Sequence, residues 1–94
     1  MQIEGIIWLS NVVDKILLKH SVKTDEVEEV FGHAPKIRFV ESGERKGEDV
    51  YMALGKTEAG RYMAVLFIYK KSKEALILSA RDMADKEKKL YGKK

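Results

Sequence analysis

The sequence predicts an α+β fold with two N-terminal helices, a four-stranded antiparallel sheet and a C-terminal helix. Three observations carry this prediction. Apolar residues recur at three- and four-residue spacing as far as Phe31, the period changes to that of strands after Pro35, and a charged, helix-compatible stretch closes the chain. The length of 94 residues fits one domain, taken as 1–94, whose modest core must stabilise it without disulfides because there is no cysteine.

Taken in order, Ile3 to Leu9 is apolar enough for a short additional N-terminal strand, which Gly5 weakens. Ser10 can cap a first helix with Val12, Val13, Ile16 and Leu17 on one face, ending near His20 and Ser21. Thr24 can cap a second, with Asp25 and Glu26 in its first turn and Val27, Val30 and Phe31 as its apolar stripe. Gly32 ends that helix and Pro35 prevents its continuation. Strands are expected over Lys36–Glu41, Asp49–Leu54, Arg61–Lys70 and Glu74–Arg81. The third of these, apolar on both faces, should be central. Asp82 can cap the last helix, Met83–Tyr91, and Met52, Met63, Trp8, Phe39 and Phe67 are expected in the core.

Charge is unevenly spread. Residues 1–31 have a net charge of −3, whereas residues 32–94 have +6, an asymmetry that points either to polyanion binding or to an ordinary solvated surface. Lysine dominates, and only Arg38, Arg45, Arg61 and Arg81 carry a guanidinium, so the arginines are expected where planar, multi-donor geometry matters. With one asparagine and one glutamine beside 35% charged residues, the composition resembles that of thermophile surfaces. Met1 to Leu9 lacks a basic leader, and the longest apolar run, Tyr62 to Tyr69, is too short to span a bilayer, so a cytoplasmic protein without membrane contact is expected. Neither histidine has a partner at metal-ligand spacing, and Gly43 and Gly47 do not lead from strand to helix as a phosphate loop requires; no metal or cofactor is expected.

Several short words along the chain resemble the BrnT family of ribonuclease toxins. They are Ile7-Trp8 with Lys19-His20-Ser21-Val22, then Gly47-Glu48, Gly55, Gly60-Arg61, Ser79-Ala80-Arg81, and finally Glu87 with Tyr91. The resemblance implies a RelE-like fold, a cytoplasmic toxin that cleaves RNA without a metal, and a neutralising antitoxin, of the DNA-binding ribbon-helix-helix kind. The chain also departs from that pattern. Val50 and Leu76 stand where the family commonly has arginine, Leu9 where an acid is usual, and Ser21 where glycine follows the histidine.

Metal-free RNA cleavage needs a base for the ribose 2′-hydroxyl, positive charge at the phosphate and an acid for the leaving oxygen. Arg61 and Arg81 suit the second role through bidentate phosphate contacts, although Arg81 could equally form a salt bridge at a strand end, to Glu48 or Asp82. His20 is the acid–base candidate, since an imidazole exchanges protons near neutral pH; bonding the last carbonyls of its helix explains its position equally well. Glu48 could be a base or could orient Arg61 or Arg81, the orienting role being favoured because a carboxylate beside guanidinium groups is a poor base. Tyr91, one turn from Glu87, either approaches the site or packs the last helix on the sheet.

Lys19, Lys86, Lys88 and Lys89 are candidates for RNA binding, within a lysine-rich end that also holds Lys93 and Lys94. Three readings follow: a toxin-like endoribonuclease, or a weakened relative, held by an antitoxin; a non-catalytic module keeping the antitoxin or RNA interface; or a structural subunit without nucleic acid. The isolated protein is expected to be monomeric.

Overall fold

The computed structural model describes residues 1–93; Lys94 of the basic C-terminal run lies outside the described residues. The elements are β1 (Gly5–Ile7), α1 (Ser10–His20), α2 (Thr24–Gly32), β2 (Lys36–Glu41), β3 (Val50–Lys56), β4 (Tyr62–Tyr69), β5 (Glu74–Asp82) and α3 (Asp85–Gly92). The sheet order is β1-β5-β4-β3-β2, antiparallel throughout except that β1 adds in parallel to β5. The apolar strand β4 is central, as its two-sided hydrophobicity predicts.

Period-two alternation along β4 divides the sheet into two faces. Met63, Val65 and Phe67 join Ala53, Ala75, Ile77 and Ala80 beneath α1 and α2, whose Val12, Ile16, Val27 and Val30 complete the principal core. Phe67 anchors it, with Phe31 edge-on at 5.2 Å and Tyr51 stacked at 5.9 Å. The opposite face carries Tyr62, Ala64, Leu66 and Ile68 of β4, and there α3 covers a smaller cluster of Leu54, Ala64 and Met83, flanked by Met52, Leu90 and Tyr91. A register shift between Leu66 and Phe67 leaves Leu78 as an extra residue in β5, so Ser79 and Arg81 share a face with Leu76.

Three local expectations need correction. Leu9, Lys23 and Ala84 are the N-caps in place of Ser10, Thr24 and Asp82. At two of the helices a glutamate supplies part of the missing cap, Glu26 accepting the Lys23 N–H at 3.0 Å and Glu87 the Ala84 N–H at 2.8 Å. Phe39 is 58% exposed instead of core, because β2 is the sheet edge and α2 packs over β3 and β4. Leu17, expected on the buried stripe of α1, is half exposed. Gly55 has its reason in packing: a Cβ there would lie 3.0 Å from Val30 Cγ1 and 3.3 Å from Pro35 Cβ, where α2 ends against β3.

Candidate functional site

The turn between β3 and β4 presents Arg61. Gly60 takes φ +89°, the buried Thr57 accepts the Arg61 N–H on its hydroxyl at 3.0 Å, and the Thr57 N–H returns a bond to the Arg61 carbonyl at 2.9 Å. The guanidinium is thereby aimed at the junction of α1, α2 and β5. Its Nε donates to Asp82 Oδ1 at 2.6 Å, Nη1 to the Ser21 carbonyl at 2.9 Å and to Glu26 at 3.2 Å, and Nη2 to the His20 carbonyl at 2.9 Å and Asp82 Oδ2 at 3.3 Å. All five guanidinium donors are engaged by the protein itself. Hydrogen bonding to Asp82 raises the Arg61 pKa most, against the opposing effect of burial, and Glu26 adds to the rise.

The backbone carbonyls that accept from Arg61 lie at the end of α1. There Ser21 adopts φ 53°, its N–H bonding Leu17 and the Val22 N–H bonding Ile16, a left-handed helix stop usually made by glycine. Ser21 thus fills, at a conformational cost, the position where the sequence pattern leads one to expect glycine. His20 sits partly buried beside this stop, close enough for its charge to act on Asp82.

Arg81 projects from β5 on the α3 side. It makes a bidentate pair with Glu87 of α3, Nη1–Oε1 2.7 Å and Nη2–Oε2 2.8 Å, and Nη1 also donates to the Asp82 carbonyl at 3.1 Å. Its salt-bridge partner is therefore Glu87, in place of the expected Glu48 or Asp82 carboxylate. Unlike Arg61, it retains Nε–H and one Nη2 hydrogen without an acceptor among the described residues. The Arg81 hydrogen bonds hold the Glu87 carboxyl below its ordinary pKa, against burial, with a smaller contribution from the Ala84 N–H.

Arg61, Arg81, His20 and Asp82 therefore gather at one end of the sheet. Glu48 does not join them. It precedes Val50, which pairs with Ile68, whereas Arg61 adjoins Tyr62 at the other end of β4; the six-residue separation between these rows is roughly 20 Å. Glu48 cannot orient either arginine. Lys19 lies exposed in the last turn of α1, and Lys86, Lys88 and Lys89 are exposed on α3. Among the described residues no three His, Asp or Glu side chains converge as metal ligands, and no helix is long and apolar enough to cross a membrane.

Two partners of the arginines, Glu26 and Glu87, are not foreseen from sequence, and Asp82, foreseen as a partner of Arg81, pairs its carboxylate with Arg61 instead. Glu26 is legible there only as a helix-terminal acid. Val50 and Leu76, the two departures on the sheet, flank Ile68 in a single cross-strand row on the Arg81 face, and all three are partly exposed. Arginines at those two positions would extend positive charge along this face from Arg81.

No curated protein sequence matches the chain. A family model does, that of the ribonuclease toxin BrnT of type II toxin–antitoxin systems, over residues 8–87. The matched stretch runs from Trp8 to Glu87, two of the positions that carry the resemblance. It covers most of the chain, and the protein belongs to the BrnT family of ribonuclease toxins.

Proposed function

We propose that the protein is a weakened, metal-independent endoribonuclease, the toxin of a toxin–antitoxin pair, monomeric alone and neutralised by an antitoxin of the ribbon-helix-helix kind. The observation that carries this reading is the placement at one end of the sheet of Arg61 and His20 beside the Asp82 carboxylate, with Arg81 on the neighbouring residue of β5 donating to the Asp82 backbone carbonyl. Arg81, with two uncommitted donors, is the phosphate-binding group. Arg61 is a positioning residue: by holding the last carbonyls of α1 it fixes the backbone on which His20 stands, and His20 carries the proton. Lys19, Lys86, Lys88 and Lys89 supply longer-range attraction for the RNA backbone. Weakness follows from the engagement of Arg61 by its own carboxylates, from the remoteness of Glu48 and from the apolar row through Val50 and Leu76.

A second reading, a non-catalytic module that binds RNA or the antitoxin, is favoured by one observation: every Arg61 donor is already satisfied, so RNA gains nothing from it without displacing Asp82 or Glu26.

Cleavage of RNA by the purified protein with a chelator present tests the first reading. Slow, chelator-resistant cleavage is expected, lost in His20→Ala at unchanged melting temperature and raised in Val50→Arg or Leu76→Arg. It is lost also in Arg81→Ala, with the fold kept but the melting temperature lowered by several degrees as the Glu87 pair goes. Retained RNA binding without cleavage, in folded wild type and in both arginine-restored variants, leaves the second reading. Failure of a co-expressed neighbouring gene product to co-purify at low salt, with both proteins soluble, removes the antitoxin from either.

A further inference from the structure

Tyr62 and Tyr91 form a second cluster beside the arginines, one the acid–base reading does not use. Their rings meet edge to face at 6.0 Å. The ammonium groups of Lys56 and Lys88 lie over the Tyr62 ring, 5.3 and 5.9 Å from its centre, on exposed side chains that a stacking base can displace toward its phosphates, and Lys36 lies over the Tyr91 ring at 5.9 Å. The arrangement follows from register and helix position. Lys56 is the cross-strand partner of Tyr62, Lys88 precedes Tyr91 by one turn on α3, and Lys36 donates to the carbonyls of Leu90 and Lys93 at the end of α3.

Lys36 is thus committed to holding the helix, whereas Lys56 and Lys88 are exposed, as is Tyr62 at 40%. A recess of about 380 Å³ opens alongside, lined by His33, Lys56, Thr57, Glu58, Gly60 and Tyr91, with Glu58 facing His33 at 3.7 Å. Its volume falls at the low end of the small-molecule range of roughly 300–1,000 Å³, enough for one ring-sized group.

Tyr62 is less exposed than Phe39 but differs in having two exposed ammonium groups over its ring. Single-stranded nucleic acid has the matching chemistry, a planar base for the ring and phosphates for the lysines. Position strengthens the match. Ala64 is the cross-strand partner of Arg81, and Tyr62 lies two residues before it on the same face, which makes Tyr62 and Arg81 diagonal neighbours at roughly 7–8 Å. A base lying on Tyr62 brings its own phosphate to the two free donors of Arg81.

We infer that Tyr62, with Lys56 and Lys88 about its ring and the recess beside Tyr91, is a stacking platform for one unpaired base of single-stranded RNA, the lysines holding the flanking phosphates. The inference rests on the RNA-directed reading above and specifies the form of RNA and the residues that select it. Duplex RNA, whose base faces are occupied, is disfavoured.

Anisotropy of a labelled oligouridine, titrated with the full-length protein over a range of salt, tests it. Tyr62→Leu should weaken binding about 5- to 150-fold, the range for losing one base–aromatic stack, while Tyr62→Phe stays close to wild type. Lys56→Ala and Lys88→Ala should each flatten the slope of log affinity against log salt by about 0.7. These exposed lysines keep the test decisive if Tyr62→Leu is found to melt early. Equal binding by the leucine and phenylalanine variants with unchanged salt slopes, or a duplex bound as tightly as the single strand, overturns the platform and leaves RNA binding standing. No binding by wild type at low salt removes both. If Tyr62→Leu instead loses a co-expressed protein partner and keeps RNA, the surface is a protein interface and the proposal is wrong.

Discussion

The two faces of the sheet are built on different principles. Beneath α1 and α2 the side chains of Val65, Phe67 and Ile77 are fully buried and interlock with Ile16, Val27 and Val30. On the other face α3 buries Leu54, Ala64 and Met83, leaving Leu66, Ile68, Leu76, Val50 and Tyr62 open to varying degrees. Arg81, Ser79 and the row through Val50 and Leu76 all lie on this second face. Stability is concentrated on the closed face, whereas the open face carries Arg81, with Arg61 and His20 at the sheet end where α1 and α2 meet β5, so residues can change on the open face without unfolding the other. The open face also accommodates Val50 and Leu76 at the positions where the family resemblance leads one to expect arginine.

The largest expected effect tests this division directly. Phe67→Ala should cost about 3–5 kcal/mol in denaturant unfolding, by lost transfer energy and the cavity left among Phe31, Tyr51 and the helices. Ile68→Ala, the next residue on the other face, should cost less than half as much, since partial exposure reduces both contributions. Equal losses from the two would mean that the faces are energetically alike, and the comparison would fail.

The junction at Arg61 comes next. Arg61→Ala strips hydrogen bonds from two carboxylates and from the carbonyls of His20 and Ser21, and should cost about 2 kcal/mol, with the first loss of amide protection at the end of α1. Arg61→Lys keeps the charge but cannot reach four acceptors with a single ammonium, so it should recover only part of the loss. Loss of RNA binding in Arg61→Ala without any loss of stability would contradict the positioning role and return Arg61 to direct phosphate contact.

Much of the fold is readable in the sequence because it depends on local periodicity. The α1 and α2 stripes, the helix stop at Gly32–Pro35 and the two-sided apolar run of β4 each announce their element within a dozen residues. Phe39 departs from its expected burial because that burial depends on how far α2 extends over the sheet edge, a tertiary property invisible in a strand's own alternation. The site divides in the same way. Arg61, Arg81 and His20 stand out by residue type, scarcity and family position, but their partners do not. Glu26 and Asp82 meet Arg61 across separations of 35 and 21 residues, and nothing in the local pattern distinguishes them from ordinary helix-capping acids. The motif around Glu48 groups it with the arginines, and only the register of β3 against β4 moves it to the far end.

Acid titration probes the Arg81–Glu87 clamp that joins α3 to the open face. The Glu87 pKa is lowered in the folded state, so its contribution is fully present above the ordinary glutamate value of 4.5 and is lost as pH falls through the depressed value. Asp82 is depressed in the same direction by Arg61, but at 65% side-chain exposure it is screened and contributes less. Glu87→Gln should therefore destabilise the protein by about 1 kcal/mol at neutral pH and narrow the gap to wild type in acid. A gap that stays constant from neutral pH into acid would show that the pair contributes no net charge interaction.

The smallest expected effect concerns Ser21, where the open-face chemistry meets the closed-face scaffold. Its φ of 53° places a side chain in the left-handed region, which costs a non-glycine residue roughly 1–2 kcal/mol. Glycine removes that strain but gives the unfolded chain more freedom, offsetting about half of the gain. Ser21→Gly should therefore stabilise by roughly 0.5–1 kcal/mol, seen as a melting-temperature rise of a few degrees. The Ser21 carbonyl still accepts from Arg61 at this stop, so the geometry around His20 is kept. Ser21→Ala, which keeps the left-handed strain and loses only the hydroxyl, is the control and should be near neutral. If Ser21→Gly instead destabilises while Ser21→Ala does so equally, the hydroxyl is what holds the turn. The end of α1 would then owe its stability to a side-chain bond in place of the Arg61 clamp, and His20 would lose its structural link to the arginine centre.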